Sequence, residues 1–188
     1  MHDIRYVRFP QDFSLDGHLI ELHKEGRLPE IVISRFPHAV NVLTEAFAED
    51  GWQKLVIERG DFKVYLALRG WEVYNKPRLS PSPGSDAWYY AEAADKSIGI
   101  LLMFLDPETC TSDHWHEKWL EIYCLLAGRC EVKLNSGIVT LEKPGVSQLT
   151  IPAADGPEGI HPVSTRAEPC LMFISMGGAL TRDDHHFG

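Results

Sequence analysis

The chain is poor in basic residues, has no long apolar run and contains no paired-cysteine motif. Lysine and arginine number 18 against 27 acidic residues, giving a formal net charge of -9. Nucleic acid and anionic membranes are bound by basic stripes that displace counterions, so neither is expected as a partner. No apolar stretch approaches the roughly 20 residues that span a bilayer. The opening MHDIRYVRFPQDF also lacks the apolar core of a secretory signal. A cytoplasmic location is therefore expected. Cys110, Cys124, Cys130 and Cys170 form no CxxC pair and are read as reduced thiols, which disfavours a thiolate zinc site and a disulfide framework.

What remains is the composition of a soluble globular chain. At 188 residues, 44% apolar and 24% charged, it fits one domain with a substantial core and an extension. Between Phe36 and Glu49, Pro37 suits a first helical turn, and Val40, Leu43 and Phe47 recur at helical spacing before Gly51. One helix is expected there. From Trp52 the pattern becomes β, with Leu55-Val56-Ile57, Phe62 to Leu68 and Trp71 to Tyr74 separated by Gly-containing turns. The proline-rich Lys76 to Asp86 is read as a surface loop, because proline lacks the N–H that a sheet ladder needs. Strand signals resume at Trp88 and continue through Ile98 to Leu105, Leu120 to Leu126, Cys130 to Leu134, Ile138 to Leu141, Leu149 to Ile151, Pro162 to Thr165 and Leu171 to Ser175. Short strands at this spacing predict an all-β sandwich or barrel. The closing TRDDHHFG is polar and is expected to fray, with His185 and His186 in solvent.

The chemistry concentrates in Asp113 to Gly128, DHWHEKWLEIYCLLAG. His114 and His116 are two apart and share one face of a strand, because side chains alternate with period two. Glu121 is an odd number of residues from both, so an unbroken strand would aim it away. A bend at Glu117-Lys118 is therefore predicted, with Glu121 opening the next strand and facing back toward the imidazoles. On that strand Glu121, Tyr123 and Leu125 face one way and Ile122, Cys124 and Leu126 the other. Both sets are largely apolar, so Glu121 is an acid among hydrophobes. A buried carboxylate needs a partner, and a bound cation is one.

The spacing His114-x-His116-x4-Glu121-x6-Gly128 resembles the first motif of the cupin superfamily. A second cupin motif is similar to the stretch holding Gly145, Pro152 and His161, with an intermotif segment from Arg129 to Pro144. Glu108 stands where that family usually has a glycine, Thr165 where it often has an asparagine, and the distance from Pro152 to His161 is longer than usual. The resemblance implies a cupin-type β-barrel, a double-stranded β-helix or jelly roll, over residues 97–178. The rest divides into an N-terminal extension, 1–75, holding the helix and extra strands, a proline-rich lead-in, 76–96, and a polar tail, 179–188.

The resemblance also implies His161 as a fourth ligand beside His114, His116 and Glu121. Three neutral imidazoles and one carboxylate leave a divalent ion near +1 with two open octahedral positions. Iron, manganese, nickel, copper and zinc all suit such ligands. Tyr123 shares the face of Glu121 and is the candidate catalytic side chain. The compact His114-x-His116-x4-Glu121 spacing resembles that of cupin dioxygenases, which implies an oxygenase acting on a small chelating substrate. A cupin-type sugar or sugar-phosphate isomerase and a non-enzymatic ligand-binding cupin are the alternatives. Apolar strands between Trp52 and Tyr74 suggest a homodimer.

Overall fold

Period-two and continuous apolar runs fold as strands in the computed structural model. It describes residues 4–7, 30–34, 52–59, 62–69, 71–79, 87–93, 99–154, 156–177 and 184–188. The chain divides into two compact units, Met1–Asn75 and Lys76–Gly188. The first holds β1 (Ile4–Val7), β2 (Glu30–Ser34), β3 (Trp52–Arg59) and β4 (Phe62–Arg69) in one antiparallel sheet of order β1-β2-β4-β3. Leu55, Ile57, Val64, Leu66 and Leu68 are buried there, as the alternation on β3 and β4 dictates. The helix expected over Phe36 to Glu49 lies outside the described residues.

β5 (Trp71–Leu79) straddles the boundary between the units. It runs on through Lys76, Pro77, Arg78 and Leu79, where the proline content predicts a loop. The correction has a physical basis: among the described residues β5 ends the order of its sheet, and such end strands are where a sheet accommodates proline.

The second unit continues with β6 (Ala87–Ala93), β7 (Gly99–Leu105), β8 (His114–Trp115), β9 (Glu121–Gly128), β10 (Cys130–Leu134), β11 (Gly137–Leu141), β12 (Gln148–Ile151), β13 (Val163–Ser164), β14 (Cys170–Met176) and β15 (His186–Phe187). The large sheet has order β12-β9-β14-β7-β6-β5, and a smaller one has order β11-β10-β13. β14 lies between β7 and β9, antiparallel to both, so the last long strand closes beside two much earlier ones. This is the non-sequential pairing of a double-stranded β-helix.

Leu101, Met103 and Leu105 of β7, Tyr123 and Leu125 of β9, and Met172, Ile174 and Met176 of β14 share one core with Cys130, Val132 and Val163 from the smaller sheet. Every residue of β7 and β14 is buried, so these strands are covered on both faces. Each such apolar side chain contributes roughly 1.5–3 kcal/mol by leaving water. All four cysteines are free thiols, and three are buried. Among the described residues no helix is long and apolar enough to cross a membrane.

Two backbone positions bear on the motif spacing. Gly128 has φ 73°, and a Cβ there would stand 1.8 Å from the carbonyl oxygen of Pro169. Only glycine fits the close approach of β9 to the start of β14. Glu108 has φ 55°, so the position where a glycine is expected keeps the left-handed backbone without the residue that adopts it freely.

Candidate metal centre

β8 is only two residues long, His116 lies just beyond it, and the backbone bends at Glu117 and Lys118 before β9 begins at Glu121. The bend stands where parity places it. Its two amides are held by the Asp184 carboxylate: Glu117 N–H donates at 3.2 Å and Lys118 N–H at 3.1 Å. His161 arrives from the long second motif. The extra residues fold as a 3-10 turn, Gly156–Gly159, tied at both ends to the histidine strand. Ala154 N–H donates to His116 O at 2.9 Å and His161 N–H to His114 O at 3.1 Å. The added length is thus absorbed in the turn, and His161 returns beside His114.

The structure brings His114, His116, Glu121 and His161 together, with one ligand atom from each lying within 4.8 Å of the others. All four are buried. Each imidazole has its Nδ1 against a backbone carbonyl: His114 on Ser112 at 2.9 Å, His116 on Asp184 at 2.6 Å and His161 on Gly159 at 2.6 Å. A carbonyl only accepts, so Nδ1 carries the proton in each ring. The neutral rings then have lone pairs on Nε2. Those of His116 and His161 lie at Glu121, 3.4 Å from Oε1 and 3.0 Å from Oε2 respectively.

Acceptors facing a carboxylate require either extra protons or a cation. His116 Nε2 is buried and makes no hydrogen bond. A buried polar atom left in that state is costly, and a divalent ion would satisfy it together with the other three donors. The residues fit a metal ion, and imidazole-carboxylate sets suit several transition metals without choosing one.

The electrostatics agree with that fit. Burial lowers the His114 pKa to about 4, helped by His161, so the ring stays neutral at ordinary pH. Burial alone would also lower His116, but the adjacent Glu121 and Asp184 outweigh it and raise the ring above its usual value. Glu121 shows the reverse balance. Burial raises its pKa, yet His116 and His161 more than offset this and hold the carboxyl well below the usual range. Tyr123 donates its hydroxyl to Glu121 Oε2 at 2.9 Å and is itself buried. Burial, followed by the Glu121 charge, raises the phenol well above its ordinary value.

A cavity of about 30 Å³ adjoins the ligands, walled by Leu101, Met103, Tyr123, Val163, Ile174 and His185. A water needs roughly 10–15 Å³ on this measure, so the space holds an ion with a water or two. His185, expected in solvent, instead lines this cavity. Asp184, which holds the bend, gives no sequence signal beyond an acidic, histidine-containing tail. Thr165, where asparagine is usual, is buried and fastens the loop before β8 by accepting from Thr109 N–H at 3.1 Å and donating to Asp106 O.

No protein-family model and no curated protein matches the chain. Solved structures do match. A sugar phosphate isomerase of the cupin superfamily from Silicibacter pomeroyi is 17% identical over 60% of this chain and 87% of its own, with a TM-score of 0.46. A DMSP lyase structure is 21% identical over 60% of this chain and 62% of its own, at 0.49. A protein with a double-stranded β-helix domain from Klebsiella pneumoniae subsp. pneumoniae is 12% identical over 50% and 71%, at 0.42. Likeness at these identities concerns the fold alone. By its own strand order and buried ligand cluster, the second unit is a double-stranded β-helix with a group of three histidines and one glutamate able to bind a metal. Together with the motif spacing, that makes it a cupin-type barrel.

Proposed function

We propose that the protein is a metal-dependent enzyme that moves a proton on a small oxygen-bearing substrate, an isomerase- or lyase-type reaction, with His114, His116, Glu121 and His161 as the metal ligands. The observation that carries this reading is Tyr123, whose buried hydroxyl is hydrogen-bonded to the ligand carboxylate Glu121 and lines the cavity. A divalent ion held there supplies a positive charge that polarises a substrate oxygen and offsets the Glu121 field keeping the phenol proton in place.

The side chains divide the remaining work. The Nδ1–H bonds to backbone carbonyls fix the three ring orientations before any substrate arrives. Leu101, Met103, Val163 and Ile174 exclude water from the reacting bond. Tyr123 Oη exchanges a proton with the substrate, and Glu121 Oε2 orients that hydroxyl. No lysine or arginine lines the cavity among the described residues. The small volume and a tyrosine hydroxyl beside the ligand carboxylate fit a small carboxylate, hydroxy acid or carbonyl compound.

An oxygenase, the expectation from ligand spacing, would use the same four ligands but gives Tyr123 no task. The names of the similar structures include an isomerase and a lyase, and one barrel hosts many chemistries, so fold does not choose. The test is anaerobic incubation of Co²⁺-, Fe²⁺-, Mn²⁺- or Zn²⁺-loaded protein in D₂O with a panel of small hydroxy acids, keto acids and sugars, followed by NMR. Deuterium incorporation or elimination without oxygen is expected, falling about 10²–10⁴-fold in Tyr123→Phe with metal content retained. Turnover that requires oxygen and is unchanged in Tyr123→Phe would overturn the proposal.

A further inference from the structure

The last five residues lie along the histidine strand. β15 pairs with β8, placing His186 opposite Trp115 and Phe187 opposite His114, and Gly188 N–H donates to Asp113 O at 3.1 Å. Asp184 is fully buried, at 0% exposure. A buried carboxylate is costly unless hydrogen-bonded, and this one accepts both amides of the Glu117-Lys118 bend. Its backbone carbonyl takes the His116 Nδ1–H at 2.6 Å. One residue therefore fixes the ring of His116 and the turn that separates His116 from Glu121. The next residue, His185, stacks on His114 with centroids 4.8 Å apart and meets His116 edge-on at 5.0 Å.

We propose that the segment Asp184–Gly188 is part of the metal centre, with Asp184 as a positioning residue for His116 and His185 as the side chain that closes the cavity over the ligands and meets the substrate. This rests on the metal-binding reading above. A tail with only a structural role would leave the ligand set unaffected by its loss. Here the orientation of one ligand and the register of the bend depend on it. The volume holds an ion and little else, so a substrate that reaches the ligands has to move part of the wall, and His185 is the wall residue carried beside the short β15 and not by the core sheets.

The test uses the full chain with Co²⁺ as probe. The dissociation constant is measured by chelator competition, the ligand field by visible absorption, and the release rate by stripping with excess EDTA. Asp184→Ala keeps the carbonyl on His116 Nδ1 but strips the acceptor from both bend amides, so the bend that sets His116 against Glu121 loosens. Co²⁺ binding is expected to weaken about tenfold, the lower end of the range for an outer partner, and the absorption bands to alter. Asp184→Asn, which keeps an acceptor for the bend amides, restores part of both. His185→Ala opens the cavity and accelerates stripping at least about tenfold. Thermal melts of the metal-free proteins separate these effects from misfolding, and His185→Ala removes only a half-buried side chain. Wild-type affinity, spectrum and stripping rate in Asp184→Ala and His185→Ala would overturn the proposal while leaving the metal reading intact. A wild-type protein that takes up no Co²⁺ would overturn both.

Discussion

The two halves of the ligand cluster are built differently. Glu121 and Tyr123 stand on β9, an eight-residue strand bonded by β12 on one side and β14 on the other. His114 and His116 stand on or just past β8, a two-residue strand held by the loop from Ala154 to His161 and by β15. The carboxylate thus belongs to the sheet, and its position follows from the core packing beneath it. The imidazoles belong to connecting segments gathered from distant parts of the chain. Charge is set by the rigid half, whereas ligand geometry is tuned in the half built from loops.

Removing one ligand from the loop-built half breaks the cluster most completely. His116→Ala is expected to weaken Co²⁺ binding by more than the roughly 10–100-fold that an outer partner costs, while circular dichroism stays wild-type because β7, β9 and β14 carry the core. Next is a paired substitution that contrasts rigidity. Gly128→Ala drives a Cβ to 1.8 Å from the Pro169 carbonyl in a left-handed backbone. Loss of about 3 kcal/mol or more in denaturant melts is expected. Gly159→Ala places its Cβ 3.0 Å from Ala154 Cβ and 3.1 Å from Trp115 Cβ, contacts relieved by shifts of a few tenths of an ångström. That substitution should cost less, about 1–2 kcal/mol. Equal losses would erase the distinction.

A pH series sharpens the comparison further. Because the folded, metal-free protein raises His116 above its usual pKa, that ring holds a proton which the ion must displace. Affinity for Co²⁺ should rise roughly tenfold per pH unit while His116 remains protonated, then level once pH exceeds its raised pKa. His114, lowered to about 4, adds no further step near neutrality. A profile already flat at about pH 6.5, the ordinary imidazole value, would contradict this assignment. The smallest effect is expected at Glu108→Gly, which relieves the left-handed backbone at φ 55°. Stabilisation of at most about 1 kcal/mol should follow, because greater freedom of glycine in the unfolded chain offsets part of the gain. Calorimetry would register it.

The same contrast explains what can be read from residues alone. Strands with continuous apolar runs are legible, since burial on both faces writes itself into every position of β7 and β14. Parity locates the bend at Glu117-Lys118, spacing singles out His114, His116 and Glu121, and the resemblance to a second motif adds His161. The site's outer supports are not legible. Asp184 acts through its carbonyl and through backbone amides, which no residue type announces, and β15 is too short to carry a period. Pro77 misleads because a proline's cost depends on whether its strand has a further neighbour, which only topology reveals. Glu108 shows that backbone shape persists where the expected glycine is absent.

Elemental analysis of the protein purified without added metal, alongside His116→Ala and Glu121→Gln, tests the metal centre most directly. Roughly one equivalent of a divalent transition metal per wild-type chain, or uptake to that level on exposure to Co²⁺, is predicted, with near-complete loss in both variants. A wild-type chain that cannot be loaded, or variants that retain full stoichiometry, would contradict it.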